Sequence, residues 1–363
     1  MLSIIEFQRY NRHIVLPELG VEGQIKLKNA KVMVIGAGGL GCPVLQYLAA
    51  AGVGNIGIVD FDVVSISNLQ RQILYSETQI GKKKALCAAE AIAKINPLVN
   101  VQTFDVRITN KNALDLLSDY DIVVDGTDNF TTRYIINDAC YLLKKPLVFG
   151  AIFKFEGQVT VFNLTPESPT YRSIYPVAPQ PGTVPNCSEI GVIGILPGII
   201  GCIQASEVIK VITGIGQPLD GRIFYYDNLD QSVFTIDIRG GSENTSKIQP
   251  TENEFFKYDY NFNCEIDSGY EIKSITATDF NLNYTAYRIV DIRELYEQPK
   301  LQIPSVEQMP LSTFNVGSFV QTDQPVIVLC QKGIRSKNLI IKLLSLHPTL
   351  DVYNLEGGIE SLS

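Results

Sequence analysis

Val32-Met-Val-Ile-Gly36-Ala-Gly38-Gly39-Leu-Gly41 runs an apolar stretch straight into a glycine turn. Glycines there let backbone N–H groups approach a phosphate at a helix N-terminus. Asp60, 19 residues after Gly41, and Asp62 close the next apolar run, where an acid can hold a ribose. Ser67, Asn68, Gln70, Arg71 and Gln72 follow directly and add a cation and amide donors where further phosphates would lie. A dinucleotide dehydrogenase has no need of them, so the pattern points to ATP rather than NAD. Lys84 opens a helix-like stretch after Ile80-Gly81, and Asp125-Gly-Thr-Asp128-Asn129 ends a fourth apolar run. A carboxylate such as Asp128 beside phosphates suits Mg²⁺, which takes one or two carboxylates plus phosphate oxygens. The same residue could instead N-cap a helix beginning at Phe130.

A second constellation lies near the C-terminus. In Val326-Ile-Val-Leu-Cys330-Gln-Lys-Gly-Ile-Arg335-Ser336, the cysteine ends a strand and a short loop leads into a helix. Loop N–H groups and the helix N-terminus stabilise a thiolate, and Lys332 and Arg335 add positive charge. Cys330 is therefore the expected reactive thiol. Four residues separate Cys330 from Arg335, one fewer than in a cysteine phosphatase loop, which suits a sulfane sulfur better than a phosphate. Asp291 and Arg293 read either as an ion pair that shapes this loop or as groups that take part directly in catalysis.

The elements that must position these residues follow an α/β grammar. Strands are expected at 31–36, 56–60, 121–125 and 146–150, alternating with helices at 40–51, 82–95, 111–118 and 131–144, the pattern of βαβ units and a parallel sheet. From Gly157 the runs Gln158-Val-Thr-Val-Phe-Asn, Arg222-Ile-Phe-Tyr-Tyr-Asp and Ser232-Val-Phe-Thr-Ile-Asp-Ile read as antiparallel strands. The fold class is α/β, a Rossmann-like domain with a mixed, mainly parallel sheet followed by a small α/β domain. The expected boundaries are 1–240 and 272–363, joined by a polar, glycine-rich linker at 241–271. A chain of 363 residues leads to the same count, since single cores stop growing near ~250 residues.

Composition narrows the class. A net charge of -8 with no Lys/Arg cluster argues against a nucleic-acid surface. The apolar stretch 191–212 contains Pro197, Gln204, Glu207 and Lys210 and reads as a buried loop and helix, not a membrane span. Seven cysteines with no CxxC fit free thiols in a reducing cytoplasm. With only His13 and His347, a histidine metal site or a triad has almost no material.

Arg9-Tyr-Asn-Arg12-His-Ile-Val-Leu, the glycine turn, Asp60-Phe-Asp62, Ser67-Asn-Leu-Gln-Arg71-Gln, Gly-Thr-Asp128-Asn129 and Gln204-Ala-Ser-Glu207-Val-Ile-Lys210, taken in order, resemble the MoeB/ThiF branch of ubiquitin-activating-type adenylyltransferases. The resemblance implies that Gly39 and Gly41 touch ATP, Asp60 its ribose, and Asn68, Arg71 and Lys84 its phosphates, with Asp128 holding Mg²⁺. It implies a homodimer in which Arg12 reaches the ATP of the other subunit. It also places Cys187, in a Cys-x-x-x-Gly-Val context, where a thiol can take part in sulfur or acyl exchange. Asp291-Ile-Arg293-Glu294, the Cys330 loop and Glu-Gly-Gly358 resemble a rhodanese domain. Many MoeB/ThiF relatives hold a zinc ion with two CxxC pairs. Here the matching stretch is Thr170-Tyr-Arg172-Ser173, so no structural zinc is expected.

Together these imply ATP-dependent adenylation of the C-terminal glycine of a small ubiquitin-like sulfur carrier ending in Gly-Gly. Sulfur then passes from a Cys330 persulfide supplied by a cysteine desulfurase. Molybdopterin synthesis is the expected setting, and thiamine synthesis is the alternative carrier system. Readings from other classes are an NAD-dependent oxidoreductase fused to a sulfur carrier, a non-catalytic scaffold for a ubiquitin-like protein, and a rhodanese domain serving unrelated detoxification.

Overall fold

The Val- and Ile-rich runs that carry the site residues become strands hidden on both faces, as parallel strands covered by helices must be. In the computed structural model β1 (Lys31–Ile35), β2 (Asn55–Val59), β3 (Asn100–Phe104), β4 (Ile122–Asp125) and β5 (Leu147–Phe153) lie parallel in the order β3-β2-β1-β4-β5. The antiparallel strands β6 (Glu156–Phe162), β7 (Arg222–Asp227) and β8 (Val233–Asp237) extend the same sheet. The strand alternation divides the core. Val32, Val34, Ile56, Ile58 and Val124 face one side, and Met33, Ile35, Val59 and Val123 the other. The structure describes residues 1–178, 191–238, 249–260, 272–304, 306–319 and 324–362, which fall into two units, 1–260 and 272–362.

Helix Ile195–Thr213 is long and apolar enough, by length and composition, to cross a membrane. Here it is a core helix, packed on helix Gly41–Ala51 and on β5 and β6 with Leu196, Ile200, Ala205 and Val208 buried. Its polar residues serve as cross-links. Gln204 Nε2 donates to the Asp125 carbonyl at 2.8 Å, and Glu207 Oε2 accepts the Leu219 N–H at 2.8 Å.

In the second unit all strands are parallel, in the order β11-β10-β12-β13-β9. These are β9 (Lys273–Ile275), β10 (Arg288–Asp291), β11 (Val306–Gln308), β12 (Val326–Leu329) and β13 (Val352–Leu355). Val326 and Val328 pack with helix Ile334–Leu346, while Ile327 and Leu329 join Phe280 and Ile359 on the opposite face.

The linker expected at 241–271 needs correction. Within it, residues 249–260 pack on the first unit, with Phe255 and Tyr260 buried in its core. Polar residues fasten this segment. Arg172 donates to both Asp138 oxygens at 2.7 Å, and Tyr260 Oη donates to Asp138 Oδ2 at 2.5 Å. Asn137 Nδ2 reaches Asp138 Oδ1 at 2.9 Å and Gln249 Oε1 at 3.2 Å, and Gln249 Nε2 donates to Thr170 Oγ1 at 2.5 Å. Burial acts against the Arg172 charge, but the two-pronged Asp138 pair more than offsets it and holds the guanidinium above its ordinary pKa.

Among the described residues no group of three or more His, Cys, Asp or Glu side chains gathers. At Thr170–Ser173 the cross-links come from the Asp138 network. Removing Asp138 would leave Arg172 buried and unpaired, a loss of about 3–5 kcal/mol. Asp138→Ala should lower the urea midpoint accordingly, while a chelator leaves the melting temperature of the parent protein unchanged. A melt that drops on chelation, or an Asp138→Ala cost below about 1 kcal/mol, would contradict this assignment.

Candidate active site

The glycine turn stands at the carboxyl end of β1, between the diverging β2 and β4 connections, where open α/β sheets bind ligands. Gly36 has φ +88°, and a Cβ there would come within 2.8 Å of the Gly126 carbonyl. A Cβ on Gly41 would collide with the Gly36 carbonyl, so this close fold-back admits only glycine. Buried Tyr75 pins the turn by donating to the Ala37 carbonyl at 2.7 Å.

Asp60 closes β2 and is buried. Its Oδ2 accepts the Ala37 N–H and its Oδ1 the Asp62 N–H, each at 2.8 Å. Burial raises its pKa, against the pull of Lys84 and the two amides. Lys84 and Asp62, both expected beside the nucleotide, pair with each other at 3.1 Å. The Ser67–Gln72 loop folds onto the turn. A Cβ on Gly39 would lie 3.6 Å from Arg71 Cδ and 3.1 Å from Pro197 Cβ, and one on Gly38 would lie 3.7 Å from Gln72 Nε2. Arg71 donates to the Ser67 carbonyl at 3.1 Å, Ser67 is exposed, and Asn68 Oδ1 accepts the Ser65 N–H at 3.2 Å. Gln72 is buried, and its Oε1 has no hydrogen-bond partner.

After β4 the four polar residues take different tasks. Asp125 Oδ1 accepts Thr127 N–H at 2.9 Å and Thr127 Oγ1 at 2.6 Å, inside the core. Asn129, not Asp128, N-caps helix Phe130–Leu143, accepting the Thr132 N–H at 2.9 Å. Asp128 is left exposed, and among the described residues it joins no hydrogen bond or ion pair. An exposed, unclaimed carboxylate at the mouth of the crevice fits a divalent cation. Arg12 is likewise exposed and unpaired among the described residues, and no contact brings it to the turn.

The second unit builds a thiol site. Cys330 follows β12 and is 1% exposed. Gly333, at φ +81°, turns the loop into helix Ile334–Leu346, and the Ser336 N–H of its first turn points at Cys330 Sγ at 3.5 Å. Ser336 Oγ lies 3.4 Å from the sulfur. The Glu-Gly-Gly segment closes the far side: Gly358 has φ +62° and packs against the Cys330 and Gln331 backbone, and Ile359 N–H donates to the Cys330 carbonyl at 3.0 Å. Arg293 pairs with Asp291 at 2.9 Å and donates to Gln331 Oε1 at 3.2 Å, so this pair shapes the loop. Arg335 differs from expectation, because Glu297 takes its guanidinium two-pronged at 2.7 and 2.6 Å. Burial raises the Glu297 pKa, but the Arg335 pair outweighs it and holds that carboxyl low. Arg335 interacts at the same time with Cys330, through a side-chain hydrogen bond and through charge, so its cation still bears on the sulfur. Cys187 lies outside the described residues.

The ThiF family matches residues 10–247 of this chain, the stretch that carries the glycine turn, the Ser67–Gln72 loop and Asp128. The chain belongs to the ThiF family. This ThiF chain is 42% identical to the probable adenylyltransferase/sulfurtransferase MoeZ of Mycobacterium tuberculosis, across 99% of this chain and 93% of that protein. It is 49% identical to the sulfur carrier protein adenylyltransferase of Thermus thermophilus, across 70% of this chain and 96% of that protein. A crystal structure of PaaA matches 65% of this chain and 75% of its own with TM-score 0.56 at 25% identity. This ThiF-family protein is an enzyme, an adenylyltransferase joined to a sulfurtransferase. The dehydrogenase and scaffold readings fall away.

Several residues of the ThiF chain's two sites escape a reading by motif. Tyr75 holds the turn from the loop that follows β2, although it carries a signal in being a polar group beside an apolar run. Glu297 and Asn354 carry none, because only the fold sets them beside Arg335 and Ser336.

Proposed function

We propose that the first unit adenylates the C-terminal glycine carboxylate of a small ubiquitin-like sulfur carrier and that Cys330 supplies the sulfur. The observation that carries this reading is the seating of Arg71 and Gln72 over the glycine turn beside an unclaimed Asp128. The turn's N–H groups and Gly36, Gly38, Gly39 and Gly41 cradle the nucleotide, and Asp60 takes the ribose with its remaining lone pairs. Ser67, Asn68, Arg71, Lys84 and Asn129 face the phosphates. Asp128 would hold Mg²⁺, which supplies charge neutralisation at the phosphates when bound. Arg12 reaches the ATP of a second subunit, so the working form is a homodimer.

The chemistry needs little else. The carrier carboxylate is ionised at neutral pH and requires no general base. Its attack on the α-phosphorus meets anionic repulsion, which Arg71, Lys84 and Arg12 relieve as pyrophosphate leaves. A cysteine desulfurase loads Cys330 as a persulfide. The outer sulfur attacks the acyl carbon of the adenylate and AMP departs, leaving an acyl disulfide. A second thiolate, assigned to Cys187, attacks Cys330 Sγ; the S–S bond to the carrier breaks, the thiocarboxylate leaves with the electron pair, and a Cys187–Cys330 disulfide forms.

Two names among the relatives, a sulfur carrier adenylyltransferase and MoeZ, support a carrier of this kind. Molybdopterin synthesis is the first setting, thiamine synthesis the second, and a reducing cytoplasm suits the thiols. Mass spectrometry of candidate carriers after incubation with MgATP, desulfurase and cysteine should show one oxygen replaced by sulfur. A carrier panel that stays unmodified while pyrophosphate exchange proceeds would overturn the sulfur half of the reading.

A further inference from the structure

The Cys330 loop leaves one buried amide unexplained. Asn354, on β13, is 6% exposed, and its Oδ1 accepts the Ser336 hydroxyl at 2.6 Å. The same hydroxyl oxygen lies 3.4 Å from Cys330 Sγ, and Ser336 is fully buried. A serine hydroxyl has one proton to donate. While that proton points to Asn354, Ser336 Oγ can only accept, and the donor facing it is the Cys330 S–H. That arrangement favours the thiol. With the amide turned to present its nitrogen, Asn354 would donate to Ser336 Oγ and the serine proton would go to the sulfur, favouring thiolate or persulfide anion.

We infer that Asn354 is a positioning residue that, through Ser336, selects which protonation state of Cys330 the loop stabilises. An amide suits this role because its two ends have nearly one shape, and one accepts while the other donates. A carboxylate could only accept, and an aliphatic side chain could do neither. The inference rests on Cys330 as the sulfur-carrying thiol.

Other charges surround the sulfur and stay constant through the test. Lys332 stands on its own loop, and Arg335, in the first turn of helix Ile334–Leu346, pairs with Glu297 and also interacts with Cys330. Asp291 ends β10 and pairs with Arg293, which donates to Gln331 Oε1, and Glu360 accepts from Gln331 Nε2 at 3.3 Å. Glu356, the first residue of the Glu-Gly-Gly segment, follows β13 and is exposed. None of these is altered by substitution at 336 or 354.

The test is the pH dependence of iodoacetamide alkylation at Cys330, resolved by peptide mass spectrometry in the full chain. Asn354→Asp should raise the thiol pKa and slow alkylation roughly tenfold at neutral pH, whereas Asn354→Leu should lower it, freeing the serine proton for the sulfur. In a Ser336→Ala background both effects should shrink to under about twofold, since the relay is gone. Equal effects of Asn354→Asp with and without Ser336 would mean direct charge repulsion and overturn the inference. Shifts of the same sign for Asp and Leu would overturn it too. Should Asn354→Asp fail to fold the second unit, the Asn354→Leu cycle decides alone. Thiocarboxylate formation that survives Cys330→Ala would remove the underlying reading while leaving the thiol cycle interpretable.

Discussion

Asp128→Ala should fold like the parent and lose carrier-dependent ATP–pyrophosphate exchange by roughly 10²–10³-fold, the loss typical of removing one preorganised electrostatic contact. The stability half of this expectation follows from exposure. Asp128 is exposed and makes no hydrogen bond or ion pair among the described residues, and substitutions at such positions change stability by about 0.5 kcal/mol or less. Asp125, three residues earlier, is the control. It is buried, takes two hydrogen bonds from Thr127, and has its second oxygen unpartnered. Asp125→Ala strips both bonds from Thr127 inside the core and should lower the unfolding free energy by about 1–3 kcal/mol.

Arg71→Ala belongs beside Asp128→Ala. Its side chain lies over Gly39, so its removal should also cost roughly 10²–10³-fold in exchange. The two variants separate by magnesium. Raised Mg²⁺ should recover part of the Asp128→Ala loss, because a weakened site fills by mass action, and none of the Arg71→Ala loss. Exchange within about threefold of the parent for Asp128→Ala at every Mg²⁺ concentration would remove that carboxylate from the nucleotide site.

The contrast between these aspartates shows what the sequence could reveal. The glycine turn was legible because strand, turn and helix are local: Gly36, Gly41 and Asp60 sit at spacings that backbone sterics and strand length impose. The choice between Asp128 and Asn129 as helix cap was not legible. Both residue types cap well, and only the backbone of the formed loop selects Asn129. Strand β3 was missed for a related reason. Asn100-Val-Gln-Thr-Phe is a sheet edge, half-exposed and polar, without the apolar run that marks β1, β2 and β4. The three-residue strands β9 and β11 are edges as well, too short for a period to register.

Long-range pairs were the larger blind spot. Nothing in the Thr170–Ser173 stretch marks Arg172 as buried, yet Asp138, well before it in the chain, and Tyr260, well after it, meet in the core around it. The polar composition of 241–271 suggested a linker throughout, but Phe255 and Tyr260 are apolar anchors that composition averages away. Arg335 presented the same difficulty. Its loop suggested a free cation near a thiolate, whereas Glu297, brought in by the segment after β10, shares that cation with Cys330. Arg335 and the backbone N–H of Ser336 are the donors that face the sulfur.

Cys330→Ala should abolish thiocarboxylate formation, a loss of at least roughly 10³-fold, while ATP–pyrophosphate exchange stays within about twofold of the parent. The two halves separate because the sites are built on different sheets. Cys330 follows β12, whose core of Val326, Val328, Leu339 and Leu343 belongs to the second unit, whereas the glycine turn follows β1. Replacing a buried thiol by a methyl group removes one small apolar contact, about 1 kcal/mol, so the variant should fold and remain assayable. Acyl-adenylate should then accumulate on the carrier in the presence of desulfurase and MgATP, because its nucleophile is gone and hydrolysis is the remaining exit. Intact-mass measurement of the carrier reads all three outcomes at once: adenylate, thiocarboxylate or free acid. A Cys330→Ala enzyme that still yields thiocarboxylate at the parent rate would mean that sulfur reaches the adenylate from elsewhere. A variant that loses exchange together with sulfur transfer would mean that the second unit governs adenylation, and the division of labour proposed for the two units would fail.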